Sequence, residues 1–214
     1  MTQKPKKSKS KMIAETKDEM KERILEAALK RFTHYGSSKT TMNEIAEDLG
    51  CSKASLYYYF PDKKGLHRAV LMKIAEGFFA ELEAAAERVT SAIAALKEMN
   101  GIRSNFIRRF CRLELFKILN ETQPEEMQQV IKEARERDDK LMARVIKAGI
   151  DNGEFEAVDP KETAILYNQA MEGLRFTVLD YPPDYVDHTP EEVDKIMARQ
   201  ELLSEIFIKA LKRH

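Results

Sequence analysis

The chain has 214 residues, 43% hydrophobic and 34% charged, enough apolar material for one large or two small cores under a water-facing surface. No apolar run approaches the roughly 18 residues that span a bilayer. Its two cysteines, Cys51 and Cys111, form neither a metal-ligand spacing nor a disulfide framework. The formal net charge of zero hides an asymmetry, with 14 Lys and Arg against 9 Asp and Glu up to Leu66 and 22 against 27 beyond it. An anionic partner is therefore expected at the front end only.

Residues 1–16 read as a disordered basic tail, rich in Lys and Ser with almost nothing to bury. Lys4, Lys6, Lys7, Lys9 and Lys11 serve either a solvated tail or an anionic partner, and both readings stay open. An apolar leader is missing from this stretch, so a cytoplasmic setting without membrane contact is expected.

Beyond the tail, apolar periodicity and capping residues predict helices over about 17–34, 41–48, 52–59, 63–88, 91–99, 102–120, 125–151, 160–179 and 190–212. Three starts share one form, a cap followed by Pro and Glu: Gln123-Pro124-Glu125-Glu126, Asp159-Pro160-Lys161-Glu162 and Thr189-Pro190-Glu191-Glu192. Proline has no N–H to leave unpaired there, and the glutamate reaches back to the cap backbone. Period-2 alternation is absent, and the expected class is all-α.

The densest signal lies between Lys21 and Leu66. Ile24, Ala27, Ala28, Leu29 and Phe32 form a helical stripe that Gly36 ends. Thr41-Met42-Asn43-Glu44 is a capping box opening a short helix with Met42, Ile45, Ala46 and Leu49 inward. Gly50 closes it, and Ser52 caps a second short helix almost at once. Two short helices around a tight Gly-containing turn make a helix-turn-helix, whose second helix fits the major groove. Ser52, Lys53, Ala54 and Ser55 are small or basic, so the backbone can approach DNA closely. Of Tyr57, Tyr58 and Tyr59, some face DNA and others the core, because neighbours on a helix are 100° apart. Leu56 and Phe60 are the inward anchors. Lys63, at the next helix start, lies close to where a phosphate would sit. A helical hairpin with merely packing tyrosines is the competing account.

Ile24, Ala27-Ala28, Phe32, Gly36, Thr40-Thr41, Ile45-Ala46, Gly50, Ser52, Leu56-Tyr57, Tyr59-Phe60, Lys63 and Leu66 together resemble the N-terminal signature of the TetR (tetracycline-repressor-like) family. The resemblance runs over about 45 residues without a gap. It implies an N-terminal three-helix helix-turn-helix head (17–62) on a larger helical-bundle ligand-binding and dimerisation body (63–214). It also implies DNA contacts from Thr41, Ser52, Lys53, Ala54, Tyr57, Tyr58 and Lys63, with repression as the usual mode. Cys51 stands where the family more often has valine, and Ala54 where glycine is frequent; both are small, so docking survives while base preference shifts.

In the body, helix 190–212 is apolar over roughly 200°, centred on Ile196, Leu203, Phe207 and Ala210 and widened by Leu202, Ile206, Val193, Leu211 and Met197, twice the stripe a surface helix needs. Helix 160–179 is similarly wide, with Ala170, Gly173 and Leu174 on its face. Two such helices meet a second copy in a four-helix dimer interface, or else form a buried monomer core. Helix 102–120 is apolar nearly all round, yet Arg103, Glu114 and Lys117 fall inside its apolar arc near Phe110. These charges either line a cavity for a small, largely hydrophobic effector, with Phe106, Phe110, Tyr167 and Met171 as its walls, or make an ordinary surface pair between Glu114 and Lys117.

No catalytic constellation emerges. The four histidines are scattered, and no phosphate loop or nucleophile elbow is present, so neither an enzyme nor a metal or cofactor is expected. The alternative function is an architectural DNA-binding protein without ligand control, against which a body of about 148 residues argues.

Overall fold

A computed structural model describes residues 16–88, 90–110, 124–178 and 189–213. Among these the helices are α1 (Lys17–Tyr35), α2 (Met42–Leu49), α3 (Lys53–Tyr59), α4 (Lys63–Arg88), α5 (Ala92–Phe110), α6 (Pro124–Asp151), α7 (Pro160–Thr177) and α8 (Pro190–Leu211). The described chain is all-α, with one isolated antiparallel bridge between Phe155 and Lys212.

The helix starts follow from their caps. Thr16, Thr41 and Thr189 each make a full capping box with the glutamate three residues on, satisfying donors that an uncapped first turn leaves unpaired. Asp159 caps α7 differently, its carboxylate accepting from the Lys161 and Glu162 amides at 2.9 and 3.0 Å. Gln123, the cap expected before Pro124, lies outside the described residues.

One expected break does not occur. Sequence periodicity separates helices 91–99 and 102–120, but α5 runs unbroken from Ala92 through Gly101 to Phe110. A glycine inside a helix costs about 1 kcal/mol relative to alanine. Burial of Ala92, Ala95, Leu96 and Met99 along one face outweighs it. Residues 111–120 of the expected helix, including Glu114 and Lys117, lie outside the described residues.

Two large clusters of buried side chains result. In the head, Ile24, Leu25, Ala28 and Phe32 of α1 meet Met42, Ile45, Ala46, Leu56 and Phe60. This core does not stop at residue 62, because Leu66, Val70 and Ile74 of α4 and Phe110 of α5 complete it. The body core gathers Leu82, Leu96, Met99, Leu141, Met142, Phe155, Ala164 and Tyr167 from α4 to α7 and their loops. Helix α4 therefore belongs to both cores, and a row of rings joins them: Phe110 to Phe106 at 4.9 Å, Phe106 to Phe78 at 4.3 Å and Phe78 to Phe79 at 5.3 Å. Arg137 of α6 locks the same region, its guanidinium 4.5 Å from the Phe79 ring and bonded to Glu76 and Glu83.

The turn after α6 is a clasp. Glu154 accepts from Ser91 Oγ and from the Ala92 and Ile93 amides at the start of α5. The Glu156 amide donates to Leu211 O, and the Arg213 amide to Glu154 O. Burial pushes the Glu154 carboxyl up, but the bonds from Ser91, Ile93, Ala92 and Asn152 outweigh it and leave it below the usual range. Beside the clasp, a Cβ on Gly149 would stand 2.2 Å from the buried Phe155 ring and 2.8 Å from the Ala92 Cβ. Gly149→Ala is therefore expected to cost about 2–3 kcal/mol through overpacking. Chemical denaturation checks it, and a wild-type midpoint would show that the ring yields freely.

Candidate nucleic-acid interface

The head presents α3 through a short rigid construction. Gly50 takes the left-handed conformation (φ +63°), where a side chain is strained, and its amide returns to Ala46 O and Glu47 O. Three residues later α3 starts, with Ser52 Oγ accepting from the Ser55 amide at 3.1 Å. Leu56 and Phe60 are buried and pin α3 to α1 and α2. Helix α2 is fixed to α1 by a two-pronged ion pair, Arg31 Nε and Nη2 donating to Asp48 at 2.6 and 2.8 Å, with Glu44 3.4 Å away. The hydrogen bonds to Arg31 hold the Asp48 carboxyl below its ordinary range. Two-pronged pairs fix orientation as well as distance.

The outer side of this unit carries the residues expected to meet DNA. Ser52, Lys53 and Ala54 are exposed, as are Tyr57 (38%) and Tyr58 (68%), whereas Tyr59 is half-buried against the head core. The Lys53 ammonium lies 5.8 Å from the Tyr57 ring centre. Thr41 is exposed at the α2 start, but its hydroxyl is committed to Glu44, accepting from that residue's amide and donating to its carboxylate. Lys63 is half-buried and its ammonium donates to Ser38 O at 3.3 Å. Asp62 caps α4, its Oδ1 accepting from the Gly65 amide at 2.7 Å. The structure adds Lys17, whose ammonium lies 5.3 Å from the Tyr58 ring. Contacts between residues so distant in sequence give no periodic signal.

Apart from Arg103, the expected effector residues that are described fall in two clusters of buried side chains. Phe110 is buried in the head cluster with Phe106 packed against it, so both sit at the joint between head and body. Tyr167 and Met171 lie in the body cluster. Arg103 has a side chain 14% exposed and pairs with Asp138 of α6 at 2.6 Å. Around it runs a polar group that sequence reasoning missed. Tyr167 Oη donates to Asn100 Oδ1 at 2.9 Å, Asn100 donates to Ser204, and Gln200 donates to Met171 O. Ser204 and Gln200 are buried. Their spacing was the available signal, since positions 196, 200, 204 and 208 form one i, i+4 row with apolar ends.

The expected dimer residues divide. Ile196 is buried with Val193 and Met197, and Phe207 packs against Tyr167 with ring centres 4.6 Å apart. Leu203, Ala170, Gly173 and Leu174 are half-buried and Ala210 is exposed. The large apolar side chains facing outward are Leu166 (64%), Leu202 (48%) and Ile206 (57%). The outward face of α8 is thus turned from the Ile196–Phe207 line towards Leu202 and Ile206.

Residues 24–70 match the family model described as bacterial regulatory proteins, tetR family. A transcriptional regulator of known structure from Cytophaga hutchinsonii is 33% identical, with a TM-score of 0.79 over 90% of this chain and 98% of that one. The HTH-type transcriptional regulator RutR of Escherichia coli is 44% identical over 78 residues, and the alignment takes in only 36% of each chain. A regulator from Saccharomonospora viridis, solved in complex with choline, shares the fold at 22% identity, with a TM-score of 0.67 over 92% of this chain and 100% of that one. Head, body and the solved relative that aligns along nearly its whole length agree: the chain belongs to the tetR family of bacterial regulatory proteins.

Proposed function

We propose that the chain is a cytoplasmic, homodimeric transcriptional repressor that reads operator DNA with α3 and releases it when a small molecule binds the body. The observation that carries the DNA reading is the exposed row of Lys53, Ala54, Tyr57 and Tyr58 on a helix whose other side is pinned by Leu56 and Phe60. Short side chains at the start of α3 let its backbone approach the groove floor, and hydroxyls and an ammonium supply contacts to base edges and phosphates. Thr41, at the start of α2, and Lys63, at the start of α4, are assigned to the phosphates.

Tyr58→Ala and Lys53→Ala are each expected to weaken operator binding about 5- to 150-fold, the 1–3 kcal/mol of a base-edge contact. Fluorescence anisotropy on a duplex selected by the wild-type protein from a random-sequence pool measures this. Both side chains are exposed, so the melting temperature stays put; unchanged affinity in both variants sinks the assignment.

The effector reading is supported by the body, where Tyr167 and Met171 adjoin the Asn100, Arg103 and Ser204 polar group, a mixture of apolar wall and orienting polar atoms suited to small ligands. The choline bound by the Saccharomonospora relative also favours an effector. A hundredfold loss of DNA affinity requires about 2.7 kcal/mol of coupling, and DNA must weaken the effector by the same factor. The Phe110–Phe106–Phe78–Phe79 row is the packed connection through which body shape would move the head. We therefore assign Phe106 and Phe110 to coupling. An operator-binding assay run with and without small-molecule fractions of cell extract tests release, and insensitivity to every fraction favours the architectural alternative.

A further inference from the structure

We propose that Lys17 is a positioning residue for Tyr58, holding the exposed ring in the orientation in which it meets operator bases; this rests on the DNA reading above. Tyr58 is 68% exposed on α3, so burial does little to fix it. Two neighbours hold it instead. The ring of Tyr59, itself packed against the head core, stands 5.2 Å away at an interplanar angle of 87°. The Lys17 ammonium lies 5.3 Å from the Tyr58 ring centre, within the range where a cation is drawn to the negative face of a ring. Lys17 is also out of place by local rules. It is the first residue of α1, in a turn that carries Asp18 and Glu19. Acidic side chains suit that end of a helix, where unpaired amides gather positive charge, and a lysine does not. Departures of this kind gather at functional sites.

The other exposed tyrosine shows what Lys17 adds. Tyr57 also has a lysine against it, Lys53 at 5.8 Å, but both belong to α3 and move with it. Lys17 reaches Tyr58 from α1, which the Thr16–Glu19 capping box starts and Ile24, Leu25, Ala28 and Phe32 anchor in the head core. Tyr58 is thereby referred to the scaffold as well as to its own helix. A side chain free to rotate must be ordered when it docks, and that ordering weakens binding. A ring already oriented escapes part of the penalty on a duplex whose bases it reads, and gains nothing on a duplex it does not read. Lys17 therefore acts on the preference between sequences, whereas a lysine meeting only a phosphate acts on all sequences alike.

The test is a double-mutant cycle on the full chain. Lys17→Met, Lys17→Arg, Tyr58→Ala and the Lys17→Met/Tyr58→Ala pair are measured by anisotropy on the selected operator duplex and on a mixed-sequence duplex. Methionine keeps the length and apolar stem of lysine and removes the charge. Lys17→Met is expected to lower the preference for operator over mixed sequence about 2- to 5-fold, the strength of an exposed cation–ring contact. Lys17→Arg should keep the wild-type preference, because a guanidinium also sits on a ring face. In the Tyr58→Ala background, Lys17→Met should change the preference no further. Both side chains are exposed, so circular dichroism and melting should stay at wild type. The proposal is overturned by a wild-type preference in Lys17→Met, whether affinity is unchanged or falls equally on both duplexes as for a phosphate contact. It is overturned equally if Lys17→Arg loses as much as Lys17→Met, or if the loss is as large without Tyr58 as with it. Tyr58→Ala that binds operator like wild type defeats the reading by Tyr58, and this proposal falls with it.

Discussion

Replacing Ile206 by glutamate is expected to give a folded monomer that has lost operator binding. Ile206 is 57% exposed on α8 with Leu202 nearby in sequence, and Leu166 is 64% exposed on the adjoining α7. These exposed apolar side chains on neighbouring helices are the reason for placing the proposed association surface here, and a second copy would cover them with the same surface around a two-fold axis. A buried, unpaired carboxylate costs several kcal/mol per ion, so an interface holding two symmetric copies should come apart. The consequence for DNA is larger than that of any single contact. One head offers one seven-residue reading helix. Linking two heads makes the second binding event intramolecular, which commonly adds 10²- to 10⁴-fold in affinity. Loss of the dimer should remove about that factor, beyond either single-contact variant. Sedimentation shows the monomer and anisotropy the lost affinity, while circular dichroism verifies that the helices remain. Leu166→Glu, on the other helix, should do the same. Two variants that sediment as dimers and bind operator normally would place the interface elsewhere.

The helix-turn-helix was legible in the sequence because the constraints that mark it are local. Thr41 and Glu44 are three residues apart, Gly50 must adopt a left-handed backbone, and Leu56 and Phe60 are one turn apart; neighbouring positions fix them all. The body was legible only as a set of helices. Its function depends on how faces are shared between helices, and an arc of 200° does not say which part faces its own core. Ile196 and Phe207 turned inward while Leu202 and Ile206 turned outward. Phe110 misled for a related reason. Its apolar helix reads as body core, but α5 carries it back to the head, where Leu66, Val70 and Ile74 of α4 wait. Arg103 was recognised as a charge on an apolar arc, yet its partner Asp138 is 35 residues away. Such pairs have no spacing to detect. Gly101 shows the opposite failure, in which a local signal for a break was overridden by the face that α5 buries.

His67 should make the head acid-sensitive in a window of its own. It sits on α4 with 4% of its surface exposed, its ring edge-on to Phe32 at a centroid distance of 5.0 Å. Neither ring nitrogen has a hydrogen-bond partner among the described residues. Burial, reinforced by the Lys63 ammonium one turn earlier, lowers its pKa from 6.5 to about 4. The folded protein therefore refuses a proton that the unfolded chain accepts. Above about pH 6.5 both states are neutral at this site and no stability is lost. As the pH falls from 6.5 towards 4 the unfolded chain alone is protonated, and stability declines. Allowing for partial hydration of the ring, about 2–3 kcal/mol should disappear across that interval, with little further loss from this residue below it. In a chain of this length that corresponds to roughly 5–10 °C in melting temperature. Asp48 and Glu154 also have lowered values, but those carboxylates start below the histidine's ordinary value and contribute at more acid pH. His67→Leu separates the two, since it deletes the histidine step and leaves the carboxylate one. The variant should also be more stable at pH 7 by about 1–3 kcal/mol, because a desolvated ring without partners gives way to an apolar side chain. Denaturant midpoints at pH 7, 6, 5 and 4.5 for both proteins decide the matter. If the two curves fall in parallel, His67 is already satisfied in solution and the acid sensitivity belongs to other groups.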